Sequence, residues 1–147
     1  MKKQILSLVA TLTLIIPLSI VGFAGLSGRV KVDIPFDFMV GGKQLQAGKY
    51  TVERLNVNGT LIIRATDNSA AANFNVVNVT DKGDKGARLV FHRYGNQHFL
   101  AQVYDGTSGE GQALAKSKAE REAAKKRDII TQNMVESEIV TVVADGK

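Results

Sequence analysis

The chain has 147 residues, no Cys, no Trp and a formal net charge of +5 at neutral pH. This length corresponds to one domain, and 44% hydrophobic residues are enough to build a core. The composition excludes a disulfide framework, a cysteine nucleophile and a cysteine metal site. It also excludes a membrane protein with several spans, because only one apolar run is long enough to cross a bilayer.

Residues 1–24 have the pattern of a secretory signal peptide. A basic start is followed by an uncharged apolar run over residues 5–26, and the small residue Ala24 precedes the expected cleavage position. The pattern predicts export to the periplasm or the extracellular space. Because the uncharged run is nearly as long as a membrane span, a retained N-terminal anchor is the alternative.

Cleavage would change the charge of the protein. It would remove Lys2 and Lys3 and lower the formal net charge from +5 to +3. An exported chain rarely meets nucleic acid, so we do not expect nucleic acid as a partner. We expect contact with a membrane only if the N-terminal segment is retained.

Residues 29–114 are predicted to form a β domain. Apolar residues alternate with polar ones along its first segment, at Val30, Val32, Ile34, Phe36, Phe38 and Val40. This alternation predicts one long half-buried strand, and Pro35 within it indicates a sheet edge or a bulge. Further β-type runs follow, separated by turn signals such as Asn58-Gly59. The pattern predicts a mainly β fold, either an antiparallel β-barrel or a β-sandwich.

Two local features of this domain lead to more specific predictions. The apolar phase shifts between Val76 and Val77, which predicts a β-bulge in that strand. Residues 106–112 have the sequence GTSGEGQ, which is typical of a flexible polar loop.

The period of the sequence changes after the β domain. Residues 115–128 are predicted to form one amphipathic, solvated helix, and Ser117 with Glu120 matches a capping box in which the glutamate reaches back to the helix start. The apolar stripe of this helix is alanine, so we expect the helix to lie loosely on the body or to project into solvent. Residues 129–147 form a C-terminal segment in which residues 138–144 are expected to be a closing strand.

Three sequence stretches together resemble a known family. They are DIPFDF at residues 33–38, GGKQLQAGKY at residues 41–50 and LVFHRYG at residues 89–95. This combination is similar to an uncharacterised family of small exported bacterial β-rich proteins, over most of residues 29–127. The resemblance implies a secreted β fold and supplies no catalytic residues. In that pattern a Pro stands where this chain has Gln46, a departure that we expect to loosen a turn.

The two histidines of the chain, His92 and His98, lie on either side of one predicted turn. A two-residue turn at Gly95-Asn96 would place the imidazoles on opposite faces of the hairpin, whereas a three-residue loop over residues 94–96 would pair them directly. The longer loop also places the apolar residues of both strands on one uniform face. Because a one-residue slip moves every side chain to the other face, we expect the three-residue loop.

A facing pair of histidines is not yet a metal site. Zinc takes three or four ligands, and the sequence places no carboxylate near His92 and His98 on the same face of the hairpin. We therefore predict no metal and no cofactor, and name these two histidines as the candidates if a metal is bound. Ser108 lacks the spacing of a nucleophile elbow, and no catalytic residue is predicted. His92, Tyr94, His98 and Tyr104 are the candidate binding surface.

Three functions from different classes are compatible with these features. The first is a non-catalytic exported module that binds an envelope protein or supports the cell envelope. The second is a small-barrel carrier of an apolar ligand, and the third is a hydrolase with a dispersed site. An internal cavity would favour the carrier, a packed interior with an exposed apolar patch would favour the module, and both histidines beside a carboxylate would favour the hydrolase. The failure of every catalytic motif favours the module.

Overall fold

The structure is a computed structural model that describes residues 28–55, 59–81, 86–107, 109–131 and 137–145, with the backbone alone for residues 128–131. The expected signal peptide, residues 1–24, therefore lies outside the described residues, as does Ser108.

The described residues form ten strands and one helix, a mainly β fold with the helix near the C-terminus, as predicted. In chain order the elements are β1 Val30–Ile34, β2 Phe38–Val40, β3 Lys43–Leu45, β4 Gly48–Arg54, β5 Thr60–Ala65, β6 Ala71–Thr80, β7 Arg88–Tyr94, β8 Gln97–Tyr104, β9 Glu110–Leu114, α1 Lys118–Thr131 and β10 Glu138–Val143.

Strand β6 joins the two halves of the sheet. Its first half pairs with β5, and its second half pairs with β9. Antiparallel pairs run in the order β1-β4-β5-β6-β9-β8-β7-β10, while β2 pairs in parallel with β8 and carries β3 at its other side. The two ends of this path, β1 and β10, contact each other, and Asp145, two residues beyond β10, donates its N–H to Lys31 O at 2.9 Å. The sheet is not closed into a barrel, so the barrel alternative is wrong, and the predicted C-terminal strand forms without closing it.

The interior is filled by side chains from both halves of the sheet. The inward residues of β1 are 0–2% exposed, and the largest fully buried side chains include Phe38, Phe91 and Ile34. The rings of Phe38 and Phe91 meet edge to face with their centroids 5.5 Å apart. A core packed in this way supplies the stability of a chain that has no disulfide.

The predicted long first strand is divided at Pro35. The alternation persists through it, because Phe36 is half-buried and Phe38 is buried, but the ladder stops at Ile34 and resumes at Phe38. Proline has no N–H to donate, so it interrupts the pairing and frees the chain to change partners. Strand β1 consequently pairs with β4, and β2 pairs with β3 and β8.

The phase shift predicted in β6 has a different cause from the expected bulge. The strand pairs through Asn75 with β5 and from Val76 with β9, without a register shift in either ladder. Val77 is 66% exposed and points away from the core. The apolar phase shift therefore arises because Val77 is an exposed apolar residue in a regular strand, in the half that pairs with β9.

The predicted flexible loop over residues 106–112 is wrong in its second part. Residues 110–114 form β9, which lies between β6 and β8 in the sheet. Gln112 is 2% exposed, and its Nε2 atom donates to Asn78 Oδ1 at 3.2 Å. Gly111 lies against the ring of Tyr104, where a larger residue would collide. Gly111 and Gln112, which are typical of loops in sequence, therefore allow close packing within the sheet.

Candidate functional site

The hairpin that carries both histidines has a two-residue turn. Arg93 pairs with His98 and Tyr94 pairs with Gln97, which leaves Gly95 and Asn96 in the turn. Gly95 has φ +61°, the conformation required of the first central residue of a type II′ turn. The expected three-residue loop is therefore wrong, and the two imidazoles lie on opposite faces of the hairpin.

A β-bulge in β8 explains why the apolar residues of both strands are buried even though the turn has only two residues. Val90 pairs with Gln102 and Phe91 pairs with Leu100, so Ala101 is an extra residue in β8. Beyond an extra residue the side chains of a strand change face. Leu100 therefore packs inward with Phe91, and the conflict that favoured the longer loop disappears.

His92 lies on the face that α1 covers, where it meets a buried carboxylate. His92 Nδ1 is 2.7 Å from Glu120 Oε1, and these side chains are 23% and 5% exposed. The Tyr94 hydroxyl donates to the same carboxylate oxygen at 3.4 Å, and Lys116 Nζ donates to the Tyr94 hydroxyl at 3.3 Å. We call these four residues the His92–Glu120 cluster.

The start of α1 positions Glu120 for this contact. Glu120 N donates to Ser117 Oγ at 3.1 Å, which is one half of the predicted capping box. The Glu120 carboxylate instead points to β7 and binds His92. The expectation of a loose helix is wrong, because Ala123 is 8% exposed and packs with Tyr94 and Phe99.

The chemistry of the cluster is that of a buried carboxylate held by hydrogen bonds. A buried carboxylate is costly unless it is hydrogen-bonded, and His92 and Tyr94 supply hydrogen bonds to it. A histidine oriented by a carboxylate is also found in hydrolytic triads, but there the other imidazole nitrogen meets a nucleophile. Within the part of the chain that the structure describes, the hydrogen bond formed by His92 is the one to Glu120. The geometry supports attachment of α1 to the sheet.

His98 lies on the opposite, inward face and behaves as an apolar ring. It stacks on Phe36 with the ring centroids 3.9 Å apart and the planes 15° from parallel. Among the described residues, its buried Nδ1 atom has no hydrogen-bond partner. Burial lowers the pKa of His98 below 6.5, and the charge of Arg93 lowers it further, while a hydrogen bond to the backbone of Asp37 opposes the shift.

Tyr104 lies near the end of the hairpin farthest from the turn. The guanidinium of Arg88 lies 4.0 Å above its ring centroid, and Arg88 Nη2 is 2.5 Å from Asp81 Oδ2. The Tyr104 hydroxyl donates to Gln102 Oε1 at 3.1 Å. Burial raises the pKa of Tyr104, with a further increase from Asp81 that Arg88 opposes.

The structure therefore separates the four residues of the candidate binding surface. His92 and Tyr94 share the cluster beneath α1, His98 faces the core, and Tyr104 is buried near the other end of the hairpin. Among the residues described, no group of three or more His, Asp or Glu side chains could hold a metal ion. Glu120 is the residue that sequence reasoning missed, because its capping role concealed its contact with His92.

The surface of the described residues has open grooves. One, of about 750 Å3, lies beside β6 and the start of α1 and includes Phe74, Leu114 and Ser117 in its lining. Another, of about 370 Å3, lies beside Tyr94 and Arg127. Neither groove enters the space between the inward side chains of β1 and β7, which those side chains fill.

Strand β10 is the most exposed apolar element of the described fold. It pairs with β7 on one side, and its outward residues Ile139 and Val143 are 64% and 69% exposed. Its inward residues Val140 and Val142 pack on the core but are only half-buried. We call the side of β10 that faces away from β7 the β10 edge.

Comparison of the chain with protein-family models, curated proteins and solved structures found no match. Among the described residues, no helix has the length and apolar character needed to cross a membrane.

Proposed function

We propose that the protein is an exported, non-catalytic β module that binds another protein through the β10 edge. The observation that carries this proposal is a strand that is apolar on both faces and paired along one side. Ile139 and Val143 are exposed outward, and Val140 and Val142 are only partly covered inward. The partner is an extended segment of protein that adds to the sheet as a further strand.

The composition of β10 supports this reading. Edge strands that remain exposed in soluble proteins are usually protected by charged residues, proline or a bulge. Between Ile139 and Val143 this strand has no charged residue, and Thr141 is its single polar side chain. A strand of this composition is better suited to burial against another strand than to permanent contact with water.

The filled interior argues against the carrier. A lipocalin-type carrier holds its ligand inside a barrel, whereas here Phe38, Phe91 and Leu89 occupy the space between the two halves of the sheet. The hydrolase would require both histidines beside a carboxylate. His92 meets Glu120, but His98 lies on the other face of the hairpin.

Export is supported by the N-terminal sequence pattern. The test is the N-terminal sequence of protein recovered from the periplasm or the medium after expression of the full chain. We expect the recovered protein to begin at Gly25. Recovery of intact chain from the cytoplasm alone would refute export.

The binding proposal can be tested by photocrosslinking in cells. A benzophenone amino acid replaces Ile139 in one variant and Arg64, an exposed residue on β5, in the control variant. We expect crosslinked products of discrete mass from position 139 only, with the attachment sites mapped by mass spectrometry to one extended segment of one protein. Equal crosslinking from both positions, or none from position 139, would refute the proposal.

A further inference from the structure

The ring of His98 supports the segment that joins β1 to β2. Residues 35–37 of this segment belong to no strand. Phe36 lies between two rings there, because it stacks on His98 with the centroids 3.9 Å apart and meets Phe91 edge to face at 5.2 Å. The stack on His98 therefore helps to hold the segment against the core.

Strand β2 is attached to β8 beside His98 by one residue pair. Met39 pairs in parallel with Phe99. Two residues separate Val40 from its β3 partner Lys43, so Val40 and Lys43 form the hydrogen-bonded pair that closes a two-residue turn. Because backbone groups alternate in direction along a strand, those of Met39 point to β8. In a parallel pair they meet the residues before and after the partner, so the Met39 N–H is directed at the carbonyl of His98.

The inward position of His98 suits a neutral ring and opposes a charged one. Its Nδ1 atom is buried and has no hydrogen-bond partner in the part of the chain that the structure describes. The hydrogen bond between the ring and the backbone of Asp37 therefore involves the other ring nitrogen, Nε2. The proton taken up in acid enters at Nδ1, where it becomes a buried donor without an acceptor.

Three charged residues of the described chain bear on His98. Arg93 of β7 is its cross-strand partner, and Arg93 Nη1 lies 3.5 Å from Glu138 Oε2 on β10. Asp37 uses its carboxylate to accept a hydrogen bond from Ala47 N at 2.9 Å. Burial and the charge of Arg93 lower the pKa of His98 from 6.5, while the Asp37 backbone and the charge of Glu138 oppose the shift. The folded protein therefore resists protonation of this ring as the pH falls below 6.5.

We propose that His98 is an acid-sensitive latch for residues 35–39, and that protonation of its ring releases this segment from β8 while the rest of the sheet stays paired. One residue holds the segment at two places, with its ring on Phe36 and its carbonyl on Met39. When the charged ring turns towards water, Phe36 loses its stacking partner and the pair between β2 and β8 loses its neighbouring support. The ladders that join β1, β4, β5 and β6 do not include this residue.

Hydrogen exchange of backbone amides, followed by NMR on protein recovered after expression of the full chain, tests the latch. The protection factor of the Met39 amide should fall roughly ten- to thirtyfold between about pH 7 and about pH 5. This range follows because the released ring has an ordinary pKa of about 6.5, which lies about 1.5 units above the lower pH. The ring resonances of His98 should show the proton of the neutral form on Nε2.

A series in low urea distinguishes local release from unfolding of the whole domain. Opening of residues 35–39 exposes little surface, so exchange at Met39 should depend little on urea. Ile63 in β5 is fully buried, and its amide should exchange with the steep urea dependence of global unfolding. A Met39 amide that follows the urea dependence of Ile63 would mean that no separate release occurs.

Two variants assign the effect to the ring of His98. His98→Phe keeps an apolar ring against Phe36 and cannot take up a proton, so the protection of Met39 should no longer change with pH. His92→Gln removes the other histidine, which lies on the opposite face of the hairpin, and should leave the change at Met39 as it is in the natural chain.

Several results would overturn the latch. They are an unchanged Met39 protection factor between the two pH values, a shared urea dependence with Ile63, a pH effect that persists in His98→Phe, and a neutral ring that carries its proton on Nδ1. The first, second and fourth are measured on the natural chain, so the proposal stays testable even if a variant does not fold. Crosslinking from position 139 tests the β10 edge separately, and neither result decides the other.

Discussion

The substitution Gly111→Ala should destabilise the fold through one contact across β8 and β9. Gly111 lies directly opposite Tyr104 in the antiparallel ladder. A Cβ atom at Gly111 would lie 2.8 Å from Cζ of the tyrosine ring and closer still to Cδ1 and Cε1. At such separations the repulsion is severe, so the ring has to move.

Other contacts of the Tyr104 ring prevent it from moving away freely. It is 4% exposed, and the Arg88 guanidinium that lies 4.0 Å from its centroid is itself paired with Asp81. Overpacking costs about 1–3 kcal/mol, and loss of a partly buried cation–π contact costs about 0.5–2 kcal/mol. We therefore expect Gly111→Ala to lower the free energy of unfolding by about 2–4 kcal/mol.

Urea unfolding of matched variants measures this effect. The control is Gly42→Ala, because a Cβ at Gly42 meets no atom within 4 Å, and we expect a change within about 0.5 kcal/mol. In a Tyr104→Leu background the ring is absent, so Gly111→Ala should cost much less than in the natural chain. An equal cost in both backgrounds, or a cost no larger than that of Gly42→Ala, would refute the reasoning.

Three further predictions concern the hairpin formed by β7 and β8 and the helix beside it. The pKa of His98 is below 6.5 in the folded protein, so the stability that the neutral ring contributes is complete above pH 6.5 and is lost as the pH falls towards the folded pKa. His98→Phe should reduce the fall in unfolding free energy between about pH 7 and about pH 5, and an unchanged fall would contradict this assignment. Glu120→Ala should lower the unfolding free energy by about 1–3 kcal/mol, because it removes the carboxylate that the buried Tyr94 hydroxyl and the half-buried His92 ring contact, whereas Glu122→Ala, at an exposed position, should change it by less than about 0.5 kcal/mol. Similar effects of the two substitutions would mean that α1 does not depend on the His92–Glu120 cluster. Phe91→Ala should cost about 3–5 kcal/mol in urea unfolding, and a cost below about 1 kcal/mol would show that the core is not close-packed there.

The strands with clear alternation were predictable from the sequence, because burial on one face produces a period of two. The residues of β1 show this directly, and Pro35 correctly marked an irregularity. Strand β9 was not predictable in the same way. Gly111 and Gln112 are uncommon in buried strands, and their roles depend on Tyr104 and Asn78, which are distant in sequence.

The hairpin register shows a second limit of sequence reasoning. Burial selects the register of two paired strands reliably only where both strands are regular. Strand β8 is irregular because of the bulge at Ala101. The alternation of its side chains changes phase there, so the apolar residues on both sides of the bulge can point to the core. Alanine at position 101 is not a residue type that indicates a bulge. The placement of His92 and His98 on opposite faces could therefore not be predicted from the local sequence pattern alone.

The helix was predictable as a segment, but its docking was not. Ser117 and Glu120 identify where α1 begins, and the capping pattern accounts for both residues without any tertiary contact. The alanine stripe gave little sign of burial, since alanine removes little apolar surface from water. Docking depends instead on His92 and Tyr94, which supply hydrogen bonds to a carboxylate that the sequence had assigned to a cap.

The His92–Glu120 cluster and the β10 edge are linked through β7. One face of β7 carries His92, which holds the start of α1, and one side of β7 pairs with β10, where Ile139 lies directly beside His92. Farther along α1, Arg127 Nη1 donates to Arg93 O at 3.2 Å, and Arg93 contacts Glu138 at the start of β10. The chain between β9 and β10 therefore contacts β7 at three places: at Lys116 before the helix, along α1 itself, and at β10 after it. Because α1 itself lies on β7, these contacts keep the apolar β10 in one register on the sheet, which a strand needs if its other side is to receive a partner.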